Sequence, residues 1–163
     1  CARGLEKAAD MVSEAGGDGI LAADLPSDEA DEFREILGEK NLHLITLVAP
    51  TTPEKRLVRI TEKSSGFLYC ISSKGTTGSQ AGLKADARDY LVRLRKATSL
   101  PLALGFGISK PEHVRSAVDS GADGVVVGSA LIRLIEQTMA SSGDLERVVG
   151  EYVSSLAAEL KRR

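Results

Sequence analysis

Several things are scarce in these 163 residues, and each shortage narrows what the chain can do. There are two cysteines, Cys1 and Cys70, too few for a disulfide framework or a cysteine metal motif. Cys70 stands inside the apolar run Phe67-Leu68-Tyr69-Cys70-Ile71, where a thiol packs rather than reacts. The two histidines, His43 and His113, are given no chemical role, and no metal site is expected. Neither charge sign dominates: 21 Lys and Arg face 23 Asp and Glu, for a net charge of −2. Basic residues cluster only at Lys161-Arg162-Arg163, which argues against a nucleic-acid surface. No apolar run is long enough to span a bilayer, and no signal-peptide pattern opens the chain. These shortages together suit a reducing cytoplasm. An initiating Met is also lacking. The chain opens Cys1-Ala2-Arg3-Gly4 and passes almost at once into an amphipathic helix, which reads as a cut rather than a natural start.

What is present is a regular alternation of short apolar strands and amphipathic helices, of a length that suits one domain over residues 1–163. Leu5 to Ala15 predicts a helix with Leu5, Ala8, Ala9, Val12 and Ala15 on one face, stopped by Gly16-Gly17. A buried strand from Gly19 to Ala23 follows, ending in Asp24-Leu25-Pro26. Ser27 is the expected cap of a helix carrying Ala30, Phe33, Ile36 and Leu37. His43 to Val48 is the second strand. Thr52-Pro53-Glu54 predicts a helix with Thr52 as cap, Pro53 in its first position, and Leu57, Val58 and Ile60 on its apolar face. Gly66 to Ser72 is the third strand. A polar, Gly- and Thr-rich stretch from Ser73 to Gly82 is expected to be a mobile loop, and a helix from about Ala85 to Ala97 follows it. Pro101 to Leu104 is the fourth strand, and Ser109-Lys110-Pro111-Glu112 reads as a capping box. Val125-Val126-Val127 predicts a fifth strand covered on both faces, a turn at Gly128-Ser129 leads into a short helix, and a last helix runs from about Asp144 to Lys161.

Ala15-Gly16-Gly17-Asp18-Gly19-Ile20-Leu21 echoes Ser120-Gly121-Ala122-Asp123-Gly124-Val125-Val126, so one βα module is used more than once. Strict alternation means a parallel sheet. A doubly wound nucleotide fold would carry G-x-G-x-x-G after its first strand, and none is found. The glycines cluster instead after the last three strands, as in a TIM (β/α)8 barrel, whose phosphate site is built by the loops after strands 7 and 8. Counted so, the five strands are strands 4 to 8. Strands 1 to 3 of a barrel of about 250 residues are absent, and both outer strands lack a neighbour.

Three Gly-rich turns then converge on one rim: Thr77-Gly78, Gly105-Phe106-Gly107 and Gly128-Ser129. Their backbone N–H groups, with the Ser129 hydroxyl and a helix N-terminus, can hold a phosphate. The plain alternative is three turns that use glycine for geometry, with Ser129 as an ordinary helix cap. Asp24 faces the same rim as a ligand for a polar substrate atom or a general base, unless it only makes the turn into the next helix. Tyr69 points inward to the site or packs in the core. Lys74 allows a Schiff-base aldolase, although a loop lysine of this kind is usually solvated.

Four segments carry a resemblance: Asp18 to Pro26, Tyr69-Cys70-Ile71-Ser72 with Gly75-Thr76-Thr77-Gly78, Leu104 to Pro111, and Gly124 to Ala130. In that order they resemble the tryptophan synthase α subunit family over nearly the whole chain. The resemblance implies a lyase of tryptophan biosynthesis, cleaving indole-3-glycerol phosphate to indole and glyceraldehyde 3-phosphate by a retro-aldol reaction. It implies phosphate contacts at Gly78, Gly107, Gly128 and Ser129, and a substrate pocket including Asp24, Tyr69, Thr77 and Phe106. It also implies a β subunit as partner in an α2β2 assembly, with pyridoxal phosphate on that β subunit and no cofactor in this chain. Ser73 stands where many relatives are expected to carry Arg. The family's catalytic Glu and its substrate-orienting Asp belong to the strand 2 region, upstream of Cys1, so no catalytic carboxylate is assigned here and the chain alone is expected to be inactive.

Overall fold

The computed structural model describes residues 4–26, 29–71, 80–105 and 107–160, excluding the side chains of 80–86. Elements alternate from α1 (Leu5–Glu14) and β1 (Gly19–Leu21) through α2 (Asp31–Glu39), β2 (His43–Val48), α3 (Glu54–Lys63) and β3 (Leu68–Ile71). They continue with α4 (Gln80–Ala97), β4 (Leu102–Gly105), α5 (Pro111–Asp119), β5 (Gly124–Val126), α6 (Ser129–Ala140) and α7 (Leu145–Leu160). The five strands form one parallel sheet in the order β1-β2-β3-β4-β5. That order never reverses, so there is no switch point of the doubly wound kind, and the sheet is a half-barrel with flanking helices.

Register assigns the two faces of the sheet. Thr46, Leu68 and Leu102 lie level across β2, β3 and β4, as do Val48, Cys70 and Leu104 two residues on. This outer row is buried, and its apolar members form a cluster with Leu57 and Ile60 of α3, Leu91 and Leu94 of α4 and Ala117 of α5. A second cluster packs Ala9, Phe33 and Leu37 against Leu44 beneath α1 and α2. The inner row contains Leu47, Tyr69, Ala103 and Gly124, and, two residues further on, Ile71, Gly105 and Val126. Leu21, at the β1 edge of this face, is 44% exposed.

The helix ends explain the internal repeat. Gly16 and Gly121 both take positive φ, and the residues after them, Gly17 and Ala122, donate N–H groups five residues back, to Val12 and Ala117. Each closure releases the chain into Asp-Gly and a strand, because a left-handed residue after the last turn satisfies orphan carbonyls. Asn41 and Ser142 make the same closure after α2 and α6 with φ of 56° and 53°.

Several local expectations are corrected. The β5 run is half-buried rather than covered on both faces, because β5 is an edge strand that pairs only with β4 among the described residues. Ser27 lies outside the described residues, and α2 begins at Asp31 with Ala30 in the cap position and no side-chain cap. Thr52 does not cap α3. Pro53 occupies the cap position in an extended conformation, and the Thr52 hydroxyl accepts the Ala49 N–H at 3.1 Å, closing the preceding turn. Val58, at 43% exposed, faces away from the core on which Leu57 and Ile60 pack. The Ser109 capping box does not form: Lys110 is the cap residue of α5, without a side-chain bond, and Pro111 opens the helix. The expected mobile loop from Ser73 lies outside the described residues up to Ser79, whereas Gln80 to Gly82 already belong to α4, five residues before the expected start.

Candidate functional site

The carboxyl ends of β3, β4 and β5 lie side by side, with Ile71 level with Gly105 and Gly105 level with Val126. Two residues beyond the Gly105–Val126 pair stand Gly107 and Gly128, so two of the three Gly-rich turns are neighbours on one rim by register alone. Gly107 has φ of +77°, a conformation that glycine adopts without penalty. A Cβ added at Gly107 or Gly128 would meet nothing within 4 Å, so both backbones face open space where a ligand can approach.

Gly128 is the cap residue of α6 and Ser129 its first helical residue, so Ser129 is not the side-chain cap of the plain alternative. The N–H groups of Leu131 and Ile132 turn back to the Gly128 carbonyl at 2.9 and 3.2 Å. Those of Ser129 and Ala130 remain at the head of a twelve-residue helix, where the backbone dipole favours an anion. Gly128 and Ser129 are exposed.

Tyr69 lies on the inner face, half-buried, with its ring against Gly105: a Cβ at Gly105 would come within 2.5 Å of the Tyr69 hydroxyl oxygen. Only glycine at 105 lets the ring lie there, and this places Tyr69 one strand over from the Gly107 turn. Gly78, Thr77 and Phe106, together with Lys74 and Ser73, lie outside the described residues.

Asp24 is exposed, in a turn three residues past the end of β1 rather than at a strand end. It lines a cavity of about 340 Å³ with Arg34, Thr46, Thr52 and Arg56. Neither Tyr69 nor Gly107, Gly128 and Ser129 lines that cavity, and β1 is the sheet edge opposite β5. The half-barrel therefore groups Tyr69 with the two glycine turns and leaves Asp24 at the far edge.

Cys70 is fully buried in the outer row, and burial pushes its thiol up to about 12, so it packs as expected. Among the described residues no group of three His, Cys, Asp or Glu is arranged to hold a metal, and no helix is long and apolar enough to cross a membrane. Sequence reasoning missed how the Gly107 turn is held. Ile108 is buried with Val114 and Leu156, and Ser109 is bonded by His113 and by Tyr152. The four-residue spacing of Ser109 and His113 at a helix start was a local signal for the first contact.

Comparison with known proteins agrees with this architecture. The family model described as "Tryptophan synthase alpha chain" matches residues 1–161. The tryptophan synthase alpha chain of Chloroflexus aggregans is 44% identical over 161 residues, covering 98% of this chain and 58% of that relative. That of Arabidopsis thaliana is 40% identical over 136 residues, covering 83% of this chain and 50% of the relative. The crystal structure of the alpha chain from Legionella pneumophila superposes with a TM-score of 0.85 at 34% identity, covering 98% of this chain and 58% of that one. A tryptophan synthase α2β2 complex from Pyrococcus furiosus contains a chain that superposes with a TM-score of 0.80 at 35% identity, covering 96% and 61%. The chain thus spans between half and about three fifths of the length of these relatives.

Proposed function

Because this chain belongs to the tryptophan synthase alpha chain family, we propose that it supplies the phosphate-gripping part of a site that cleaves indole-3-glycerol phosphate to indole and glyceraldehyde 3-phosphate. The observation that carries the reading is the pair of open glycine turns, Gly107 and Gly128, set side by side at the head of α6. In this reading the backbone N–H groups there, with the Ser129 hydroxyl and Gly78, hold the substrate phosphate, and Tyr69, Thr77 and Phe106 line the adjoining pocket. Asp24, at the other edge of the half-barrel, serves the pocket only where the remaining barrel wall brings it round.

Retro-aldol cleavage removes a proton from a glycerol hydroxyl, breaks the carbon–carbon bond to the indole ring, and returns a proton to the ring carbon. Both transfers need positioned acid–base groups, typically worth about 10²–10⁴-fold. We assign them to carboxylates outside these 163 residues. Phosphate contacts grip substrate and transition state alike, so this part of the site contributes affinity and orientation more than turnover. A β subunit carrying pyridoxal phosphate is the proposed consumer of the indole, by analogy with the α2β2 complex of Pyrococcus furiosus.

An indole-release assay tests the reading. The 163-residue chain is expected to release no indole above background, and a version extended at its N-terminus with the remaining strands is expected to be active. Turnover by the short chain that is lost on replacing Tyr69 or Asp24 would place the acid–base group within these residues. A borohydride-trapped adduct on Lys74 would replace the proposal with Schiff-base chemistry.

A further inference from the structure

The turn that carries Gly107 is fastened from two directions, and both fastenings meet on Ser109. The Ser109 N–H donates to His113 Nδ1 at 3.3 Å, and the Ser109 hydroxyl lies 3.3 Å from the same nitrogen. The Ser109 carbonyl accepts the Tyr152 hydroxyl at 3.1 Å, across 43 residues of sequence. Both backbone polar groups of one residue are thus bonded to side chains, one from α5 and one from α7. Ile108, between Ser109 and Gly107, is buried with Val114 of α5 and Leu156 of α7, and the ring of Tyr152 packs on the same cluster. Arg115 and Glu159 tie the two helices together at 2.5 Å. A residue with φ of +77° two positions away has no side chain of its own to fix it, so its N–H direction is set by what holds Ser109.

We propose that Tyr152 and His113 are positioning residues for the phosphate turn, and that α7 fixes the direction of the Gly107 backbone rather than only closing the fold. The proposal rests on reading that turn as a phosphate site. Accepting the Ser109 N–H requires an unprotonated Nδ1, so His113 serves as the neutral ring with its proton on Nε2. An Asn side chain can place an oxygen close to where Nδ1 stands, and a Leu cannot.

The test uses the 163-residue chain with three variants, Tyr152→Phe, His113→Leu and His113→Asn. Two quantities are read by NMR: amide hydrogen exchange from Gly107 to Ser109 without ligand, and the affinity for inorganic phosphate. Tyr152→Phe and His113→Leu are each expected to speed exchange at Ser109 while leaving Leu102 to Leu104 unchanged. Each should weaken phosphate binding by about three- to tenfold, the worth of one net hydrogen bond. His113→Asn should restore most of both. A merely structural contact would lower the melting temperature and leave phosphate affinity unmoved, and that result overturns the proposal. So does unchanged exchange at Ser109 in Tyr152→Phe, the variant closest in shape to the original. Failure of the unaltered chain to bind phosphate overturns the site reading itself, and the exchange data then report separately whether the clamp exists.

Discussion

Replacing Gly105 with Ala puts a methyl group into the space of the Tyr69 ring. The new Cβ would stand 2.5 Å from the hydroxyl oxygen and 2.6 Å from the carbon bearing it, where ordinary contact is 3.4–4 Å. The overlap is therefore about 1 Å. Overpacking of this kind costs about 1–3 kcal/mol. The obstructing atoms are the tip of a half-buried side chain, which can swing, so the lower half of that range, about 1.5 kcal/mol, applies. Against it stands about 0.5–1 kcal/mol recovered by removing glycine's freedom in the unfolded chain. The expected net effect is a loss of about 0.5–1 kcal/mol, a fall in melting temperature of roughly 1–4 °C for a domain of this size. The sharper readout is the sign in a second background. In a Tyr69→Ala chain the obstruction is gone, so Gly105→Ala should raise stability by about 0.5–1 kcal/mol and give a coupling of about 1–2 kcal/mol. Urea denaturation of the four chains, with equal slopes, measures this. Equal destabilisation by Gly105→Ala in both backgrounds would refute the placement of the Tyr69 ring over Gly105. Gly19 provides the contrast: there a Cβ would meet the His43 backbone oxygen at 2.6 Å, and no side-chain substitution should relieve it.

Four further outcomes are expected. The peptide containing Cys70 should resist iodoacetamide in the native chain at pH 8, since burial raises its thiol to about 12; ready labelling without unfolding would contradict this packing. The same shift carries a sign for stability: the unfolded thiol ionises near its ordinary value of 9.0 and the folded one does not, so stability should fall as pH rises from there toward 12. Asp123→Ala should cost about 1–3 kcal/mol by thermal melting, because Asp123 Oδ2 accepts the Leu102 N–H at 2.9 Å and an Arg95 N–H, holding the starts of β4 and β5 to the end of α4; Asp123→Asn should cost less. Tyr90→Phe should cost about 1–2 kcal/mol by the same measure, since its buried hydroxyl donates to the Val48 carbonyl at 2.8 Å, and an unchanged melting temperature would show that bond to be immaterial.

The elements were legible because each carries its own period. Phe33 and Leu37 sit one helical turn apart, and Leu68 and Cys70 alternate with half-buried Tyr69 and Ile71. The direction of the sheet was legible because strands and helices alternate from α1 through α6. Helix starts were less so: Thr52 and Ser109 both look like caps, but the cap position falls one residue later, on Pro53 and Lys110, and Thr52 and Ser109 each bond elsewhere. The covering of β5 was misread because three β-branched residues cannot announce whether a neighbouring strand lies beside them. The Gly107 and Gly128 turns were legible together, since each follows a strand. What holds them was not, because Ser109 and Tyr152 meet only once α7 has packed on α5. The distance between Asp24 and the turns likewise depends on sheet order, which no local pattern encodes.

The adjoining turns after β4 and β5 are proposed to form a phosphate site. The most direct measurement is an NMR titration of the chain with glycerol 3-phosphate, following every backbone amide. Saturable shifts are expected, concentrated at Gly107, Ser129 and Ala130 and abolished by Gly107→Leu. Shifts confined to Asp24, Thr46 and Thr52 around the cavity at the opposite edge, or no saturable shift at all, would contradict it.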